Sequence, residues 1–198
     1  QIRKKLLQYK PDTVIHLAAL SRPMQLHYDR IDKSIGINII GTSNLVLECS
    51  KLKIKIIYFS TQYVYPGVKG NYKETSALMP KNNYAWSKLG GECAVQMYDN
   101  SLILRVSMSE KPWIHPVAFK NIKTNFLYHD EVADILPKLL DKKGIINVGS
   151  KNSSIFKFAK KTNKNVRIGI YKNKIEKNII PKNSSTNIDK LNKILKRG

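Results

Sequence analysis

Short β-branched runs alternating with stretches of helical spacing constrain this chain more than any other feature of it. Residues 13–18, 54–60, 102–106 and 144–148 have strand length and are almost wholly apolar. Between them, residues 32–52 place Ile35, Ile39, Leu45, Val46 and Cys49 on one helical face. Residues 83–98 and 130–140 read as further helices, the second with Asp130 as its N-cap. Residues 3–9 read as the closing turns of a helix that ends at Pro11, and shorter helices are expected over 154–162 and 187–195. Apolar runs without polar alternation belong to strands covered on both faces, and strands alternating with helices of this length form βαβ units. The pattern predicts an α/β fold built on a parallel sheet.

Composition narrows the class. At 198 residues and 42% hydrophobic, the chain can bury a core of its own. No apolar run reaches the roughly 18 residues of a membrane span. The longest candidate, 35–46, is broken by Gly36, Asn38, Gly41, Thr42, Ser43 and Asn44. A soluble, cytoplasmic protein with no membrane partner is expected. Cys49 and Cys93, without a C-x-x-C pair or a His at ligand spacing, exclude a disulfide framework and a zinc ribbon. Both are expected as core fillers, and no metal site is expected. The net charge of +21 raises nucleic-acid binding, but Lys outnumbers Arg 29 to 6. Readers of phosphate and bases lean on the bidentate Arg fork. A drift toward Lys, Asn and Ile along the whole chain accounts for the charge better, so no nucleic-acid partner is expected. From residue 151 the elements shorten, and 138–198 holds 17 Lys or Arg against Asp141, Glu176 and Asp189. The division expected is a main domain over 1–150 and a small C-terminal lobe over 151–198.

One constellation carries chemistry. Tyr84-Ala-Trp-Ser-Lys88 sets a phenol and an ammonium at i and i+4, about 6 Å apart along one helical face. A free phenol titrates near pH ~10, and a lysine held beside it favours the phenolate. Alone, the spacing is also that of a solvated Tyr–Lys pair. Upstream, Phe59-Ser60-Thr61 closes a strand, and the carboxyl ends of strands are where open α/β sheets place ligands. Hydroxyl, phenol and ammonium together can protonate a carbonyl while a hydride reaches its carbon.

In chain order, several blocks resemble one superfamily. They are Asp12-Thr-Val-Ile-His-Leu-Ala-Ala19, Asn38-Ile-Ile-Gly-Thr-Ser-Asn-Leu45 and Phe59-Ser-Thr-Gln-Tyr-Val-Tyr-Pro-Gly67. Then come Asn83-Tyr-Ala-Trp-Ser-Lys-Leu-Gly-Gly-Glu92, Leu104-Arg-Val-Ser107 and His129-Asp-Glu-Val-Ala-Asp134. The superfamily is that of the extended short-chain dehydrogenases/reductases, the NAD-dependent epimerases and dehydratases. Within it the chain is most similar to dTDP-4-dehydrorhamnose reductase-like proteins, and residues 181–191 resemble the end of those reductases.

The resemblance implies a Rossmann-type, doubly wound parallel sheet and an NADP- or NAD-dependent reductase of a 4-keto-6-deoxy sugar nucleotide. It assigns Thr61 to orient the substrate carbonyl, Tyr84 as acid/base, and Lys88 to lower the Tyr84 pKa and hold the ribose. Leu17, Ala18, Ala19, Asn38 and Phe59 fall on the cofactor side, Gln62 and Met108 on the sugar side. A homodimer is compatible with the family. Sugar-nucleotide dehydratases carry an Asp-Glu pair after the threonine. Gln62 and Tyr63 stand there in this chain, which speaks against dehydration. Rhamnose reductases often have Asp where Gln62 stands, so the substrate stays open. An epimerase of the same superfamily and a non-catalytic regulatory relative are the alternatives.

The G-x-x-G-x-x-G turn that holds a dinucleotide pyrophosphate is not in this sequence. The expectation is a fragment lacking its first βαβ unit, with weak dinucleotide binding as it stands. His16 reads as a satisfied core histidine, Arg105 as a residue fixing backbone or a carboxylate, and Trp86 and Trp113 as packing or stacking residues.

Overall fold

The computed structural model describes residues 1–172 and 180–196; residues 173–179 and 197–198, part of the Lys-rich tail, lie outside the described residues. The chain runs α1 (Ile2–Tyr9), β1 (Thr13–His16), α2 (Leu26–Asp29) and α3 (Ile31–Ser34). The last continues through π-type turns over Ile35–Gly41 into α4 (Thr42–Lys51). Then follow β2 (Lys55–Thr61), a 3₁₀ turn at Gln62–Val64, α5 (Asn83–Gln96) and β3 (Ser101–Val106). Next are β4 (Met108–Ser109), β5 (Val117–Phe119), β6 (Lys123–Thr124), β7 (Leu127–Tyr128) and α6 (His129–Ile135). The chain continues with β8 (Gly144–Val148), β9 (Ser153–Ser154), α7 (Ile155–Ala159), β10 (Arg167–Gly169) and α8 (Asp189–Leu195).

The central sheet has the order β1-β2-β3-β8, parallel throughout, as the apolar runs predict. Strand β2 is buried along its whole length, and its side chains alternate between two cores. Ile56 and Tyr58 face α4 and α5, packing with Val46 and Val95. Ile57 and Phe59 face the opposite side, packing with Val132 of α6 and Leu191 of α8. Helices therefore cover both faces, the Rossmann-type arrangement that the resemblance implies. A smaller core gathers Trp113, Ala118, Ile122 and Tyr128 with Ile155, Phe158 and Val166, flanked by the pairs β5–β10 and β6–β9. The lobe core thus draws on residues before and after 150, while Leu191 and Ile194 return to the main core.

Several local expectations are corrected. The helix expected over 32–52 is not uniformly α: it takes wider, π-type turns over Ile35–Gly41. Asn38, within that stretch, is 1% exposed. Asp130 is not an N-cap. Helix α6 begins one residue earlier, and the Tyr128 N–H ahead of it donates to Glu131 Oε2 at 2.6 Å. Cys93 is exposed, on the outer face of α5, while Cys49 is buried as expected. Among the described residues no helix is long and apolar enough to cross a membrane.

Between α5 and the sheet lies a buried ion pair. Arg105 on β3 donates from Nη2 to Glu92 Oε1 at 2.6 Å and from Nε to the same oxygen at 3.1 Å. Ser60 on β2 hydrogen-bonds the other carboxylate oxygen at 2.5 Å. Arg105 Nη1 continues to the Tyr65 hydroxyl at 2.7 Å and the Glu74 carbonyl at 3.0 Å. Tyr65 in turn donates to Asn147 on β8 at 2.9 Å. Glu92 and Arg105 are 0% and 2% exposed, so neither charge has water to fall back on. Removing one partner strands the other. Arg105→Met should cost about 3–5 kcal/mol in urea unfolding, and Arg105→Met combined with Glu92→Leu should cost less than that single change.

Candidate active site

Helix α5 starts where it does because Asn82 caps it, its side-chain oxygen accepting from the Ala85 N–H at 2.9 Å. The segment after β1 braces the same end. The Asn83 side chain donates to the His27 carbonyl at 3.0 Å, and its N–H donates to the Tyr28 hydroxyl at 3.3 Å. The face bearing Ala85, Lys88, Gly91, Glu92 and Val95 is buried against the sheet and the long helix. Gly91 is required there: a Cβ would stand 2.5 Å from the Asn38 carbonyl and 2.8 Å from the Tyr58 hydroxyl.

This placement brings Tyr84, in the first turn of α5, against Thr61 at the end of β2. The Tyr84 phenol is pushed above its ordinary range by burial; a hydrogen bond from Thr61 and the charge of Arg22 pull the other way without prevailing. The Thr61 hydroxyl also accepts the Tyr63 N–H at 3.3 Å and approaches Gln62 Oε1 at 3.4 Å. The neighbouring Tyr63 phenol is pushed up to about 12, mainly by burial.

Lys88 is 3% exposed, and its ammonium rests 4.2 Å over the centre of the Tyr58 ring. Burial brings its pKa down to about 8 against the opposing pull of Glu92. The resemblance gave Lys88 the task of depressing the Tyr84 pKa. Lys88 follows Tyr84 by one turn of α5.

Asn38 is fully engaged. Its oxygen accepts the Leu20 N–H at 2.7 Å, and its amide nitrogen donates to the Leu20 carbonyl at 2.9 Å and to Ser87 Oγ at 2.8 Å. It clamps the loop leaving β1 to the helix that carries Tyr84 and Lys88. Ahead of that clamp, Leu17 and Ala18 are exposed and Ala19 is half-buried, leaving an open edge at the carboxyl end of β1. Gln62 is buried beside Thr61. Phe59 and Met108 both pack into the main core, Phe59 on the face of β2 opposite Tyr58.

Two neighbours of Tyr84 carry no signature in the sequence. His27 is fully buried with its ring edge-on to Tyr84, centroids 5.3 Å apart, and its Nδ1 meets Ser34 Oγ at 2.8 Å. Arg22 is ion-paired with Glu110 at 2.8 Å, joining the loop after β1 to the segment after β4. Arg22 lies in the loop after β1 and His27 in the one-turn helix α2, which is too short for a periodicity to mark the residues that face a site. A cavity of about 520 Å³, lined in part by Pro66, Gly67, Lys81, Tyr171 and Lys182, opens between the loop after β2 and the small lobe. Among the described residues no group of three or more His, Cys, Asp or Glu is placed to hold a metal.

Comparison with known proteins matches residues 1–127 to the family model of the RmlD substrate binding domain. Methionine adenosyltransferase 2 subunit beta of Xenopus tropicalis is 36% identical over 106 residues, 52% of this chain and 31% of that protein. Spore coat polysaccharide biosynthesis protein SpsK of Bacillus subtilis is 30% identical over 146 residues, 72% of this chain and 49% of that protein. The matched stretches thus span between about a third and a half of these relatives. Among solved structures, a hypothetical dTDP-4-dehydrorhamnose reductase from Sulfolobus tokodaii superposes with TM-score 0.84 at 25% identity, over 98% of this chain and 77% of that one. The dTDP-4-dehydrorhamnose reductase of Bacillus anthracis, solved with NADP, gives 0.80 at 23% identity, over 96% and 76%.

The site carries a pH dependence of its own. His16 on β1, bonded through Nε2 to Thr42 Oγ1 at 2.9 Å, is lowered to about 4 by burial and by the charge of Lys88. Between its unfolded value of 6.5 and about 4, the unfolded chain holds a proton that the folded chain refuses. Stability therefore falls as pH falls through that window, and the lowered His27 adds to the effect in the same direction. Chemical denaturation at about pH 7 and about pH 5 should show a smaller loss for His16→Gln than for the parent chain.

Proposed function

The chain belongs to the RmlD substrate binding domain family, and from that premise we propose that it reduces the ketone of a 4-keto-6-deoxy sugar nucleotide, using NADPH or NADH. The observation that carries the reading is the Tyr84 phenol, half-buried against Thr61 at the carboxyl end of β2, its pKa raised by desolvation so that it is protonated at neutral pH. A phenol in that state is a proton donor, which is what reduction of a carbonyl requires as negative charge grows on the oxygen. Thr61 supplies a second hydroxyl, to orient that oxygen. Gln62 and Tyr63, neither of them a carboxylate, leave no added acid–base pair for eliminating water.

The nicotinamide cofactor supplies the hydride when bound. The residues present fit its ribose and nicotinamide end: the exposed Leu17–Ala18 edge offers backbone and the small Ala18 side chain. The Lys88 ammonium, resting on an aromatic face, keeps its N–H groups for ribose hydroxyls. Asn38 acts one step removed, holding the β1 loop against Ser87 beside Lys88. Phe59 and Met108 support the site from the core beneath it. The structural relatives were solved with NADP in one case and NAD in another, which supports either cofactor here. The cavity bounded by Lys81 and Lys182 suits the anionic, non-reacting part of the substrate, with the small lobe as its far wall. The SpsK relative supports a place in surface-polysaccharide synthesis, hence in the cytoplasm. Exposed apolar side chains on α4 and α5, among them Leu47 and Trp86, support a homodimer.

A second reading is favoured by the methionine adenosyltransferase beta subunits: a subunit that keeps this fold to bind and regulate a partner enzyme. Turnover separates the two. Across a panel of 4-keto-6-deoxy sugar nucleotides, the reductase reading expects substrate-dependent oxidation of NADPH or NADH. Tyr84→Phe should lower kcat at least ~10²-fold, the scale of a lost general acid. Cofactor binding without oxidation on any member of the panel would overturn the reductase reading in favour of the regulatory one.

A further inference from the structure

Lys88 is the one member of the triad whose charge is buried, and what holds it is neither of the other two. The Lys88 ammonium lies over the Tyr58 ring at 4.2 Å, while the Tyr58 hydroxyl donates to the Lys88 main-chain carbonyl at 3.0 Å. One tyrosine grips the same lysine at both ends. Tyr58 is itself fully buried on β2, its ring 5.6 Å from that of His16, and His16 is bonded to Thr42. The alternative anchor is already spent. Glu92, one turn further along α5, gives its oxygens to Arg105 and Ser60, so it reaches Lys88 only as a field.

We propose that Tyr58 is a positioning residue of this site, its ring face seating the Lys88 ammonium and its hydroxyl fixing the Lys88 backbone so that the lysine stands one turn from Tyr84. The inference rests on the role given to Lys88 above. A cation over an aromatic face is attracted by the ring quadrupole, and the attraction strengthens when both are desolvated. In a pocket 3% open to water, that face substitutes for the solvent the ammonium has lost. The charged and titratable groups around Lys88 are Tyr84 and Glu92 on α5, Tyr58 on β2, His16 on β1, and Arg105 on β3 behind Glu92. His16, lowered to about 4, is neutral at neutral pH and adds no competing charge.

The test compares Tyr58→Phe, which keeps the ring face, with pentafluorophenylalanine at the same position, which keeps the shape and reverses the quadrupole. Tyr58→Leu removes the ring altogether. The direct readout is the titration of the Lys88 side chain by NMR in protein labelled at lysine Cε, assigned by loss of the signal in Lys88→Arg. The expected result is a titration near the parent value in Tyr58→Phe, and one lower by about half a unit to one unit with the fluorinated ring. In steady-state assays the alkaline limb of the pH profile should move down with it, and KM for NADPH should rise several-fold more in Tyr58→Leu than in Tyr58→Phe. Equal Lys88 titration in the phenylalanine and pentafluorophenylalanine proteins would overturn the proposal. A chain that shows the shift but no turnover would overturn the reductase reading and leave the lysine seat intact.

Discussion

The buried pair Arg105–Glu92 is the interaction on which the rest of this structure depends. A parallel sheet tells its helices which face to cover, but apolar packing alone tolerates sliding along the strand direction. A guanidinium–carboxylate contact with two donors on one oxygen does not. Because Glu92 is on α5 and Arg105 on β3, with Ser60 of β2 on the second oxygen, the pair pins the helix against two strands at one height. Everything one and two turns earlier on α5 is placed by that pin: Lys88 over Tyr58, and Tyr84 beside Thr61. The extension through Tyr65 to Asn147 carries the same height across to β8.

Close approach completes what the ion pair begins. Gly91 lets α5 settle onto the Asn38 carbonyl and the Tyr58 hydroxyl, and the π-type turns put Asn38 where it reaches both Leu20 and Ser87. The loop leaving β1 is thereby tied to the helix carrying the phenol and the ammonium. The segment after β1, a loop followed by the one-turn helix α2, delivers Arg22 and His27 to Tyr84. The site is a junction of three strand ends and one helix face, which is where open α/β sheets keep their chemistry.

The strands and the long helices were legible because burial on both faces leaves apolar runs of strand length and the helical face repeats its period. The placing of Tyr84 and Lys88 one turn apart on one helix was legible because i, i+4 is a geometric statement. What could not be read depends on contacts between residues far apart in sequence. Tyr58 sits in an apolar strand run like any core aromatic, and only the fold shows a cation above it. Arg22 lies in a loop and His27 in the four-residue helix α2, too short to show a period. Cys93 falls on the outer side of α5 because Glu92, beside it, takes the inner one. Asp130 looked like a cap because Asp favours that position, yet Glu131 reaches back to bond the chain ahead of the helix. The core of the small lobe packs residues around 113–128 with residues beyond 150, contacts between segments far apart in sequence.

Chemically, the account turns on the state of one proton. Burial keeps the Tyr84 phenol protonated, and the opposing pulls of Thr61 and Arg22 moderate this without reversing it. In the proposed reduction that proton goes to the ketone oxygen. A base for alcohol oxidation would need the opposite shift. The direct measurement is NMR titration of protein labelled at tyrosine Cζ, with the Tyr84 signal assigned by its loss in Tyr84→Phe. The account predicts that Tyr84 stays un-ionised past the free-phenol value of about 10, and that Thr61→Val pushes it higher still. A Tyr84 signal that ionises near neutral pH in the chain on its own would contradict it.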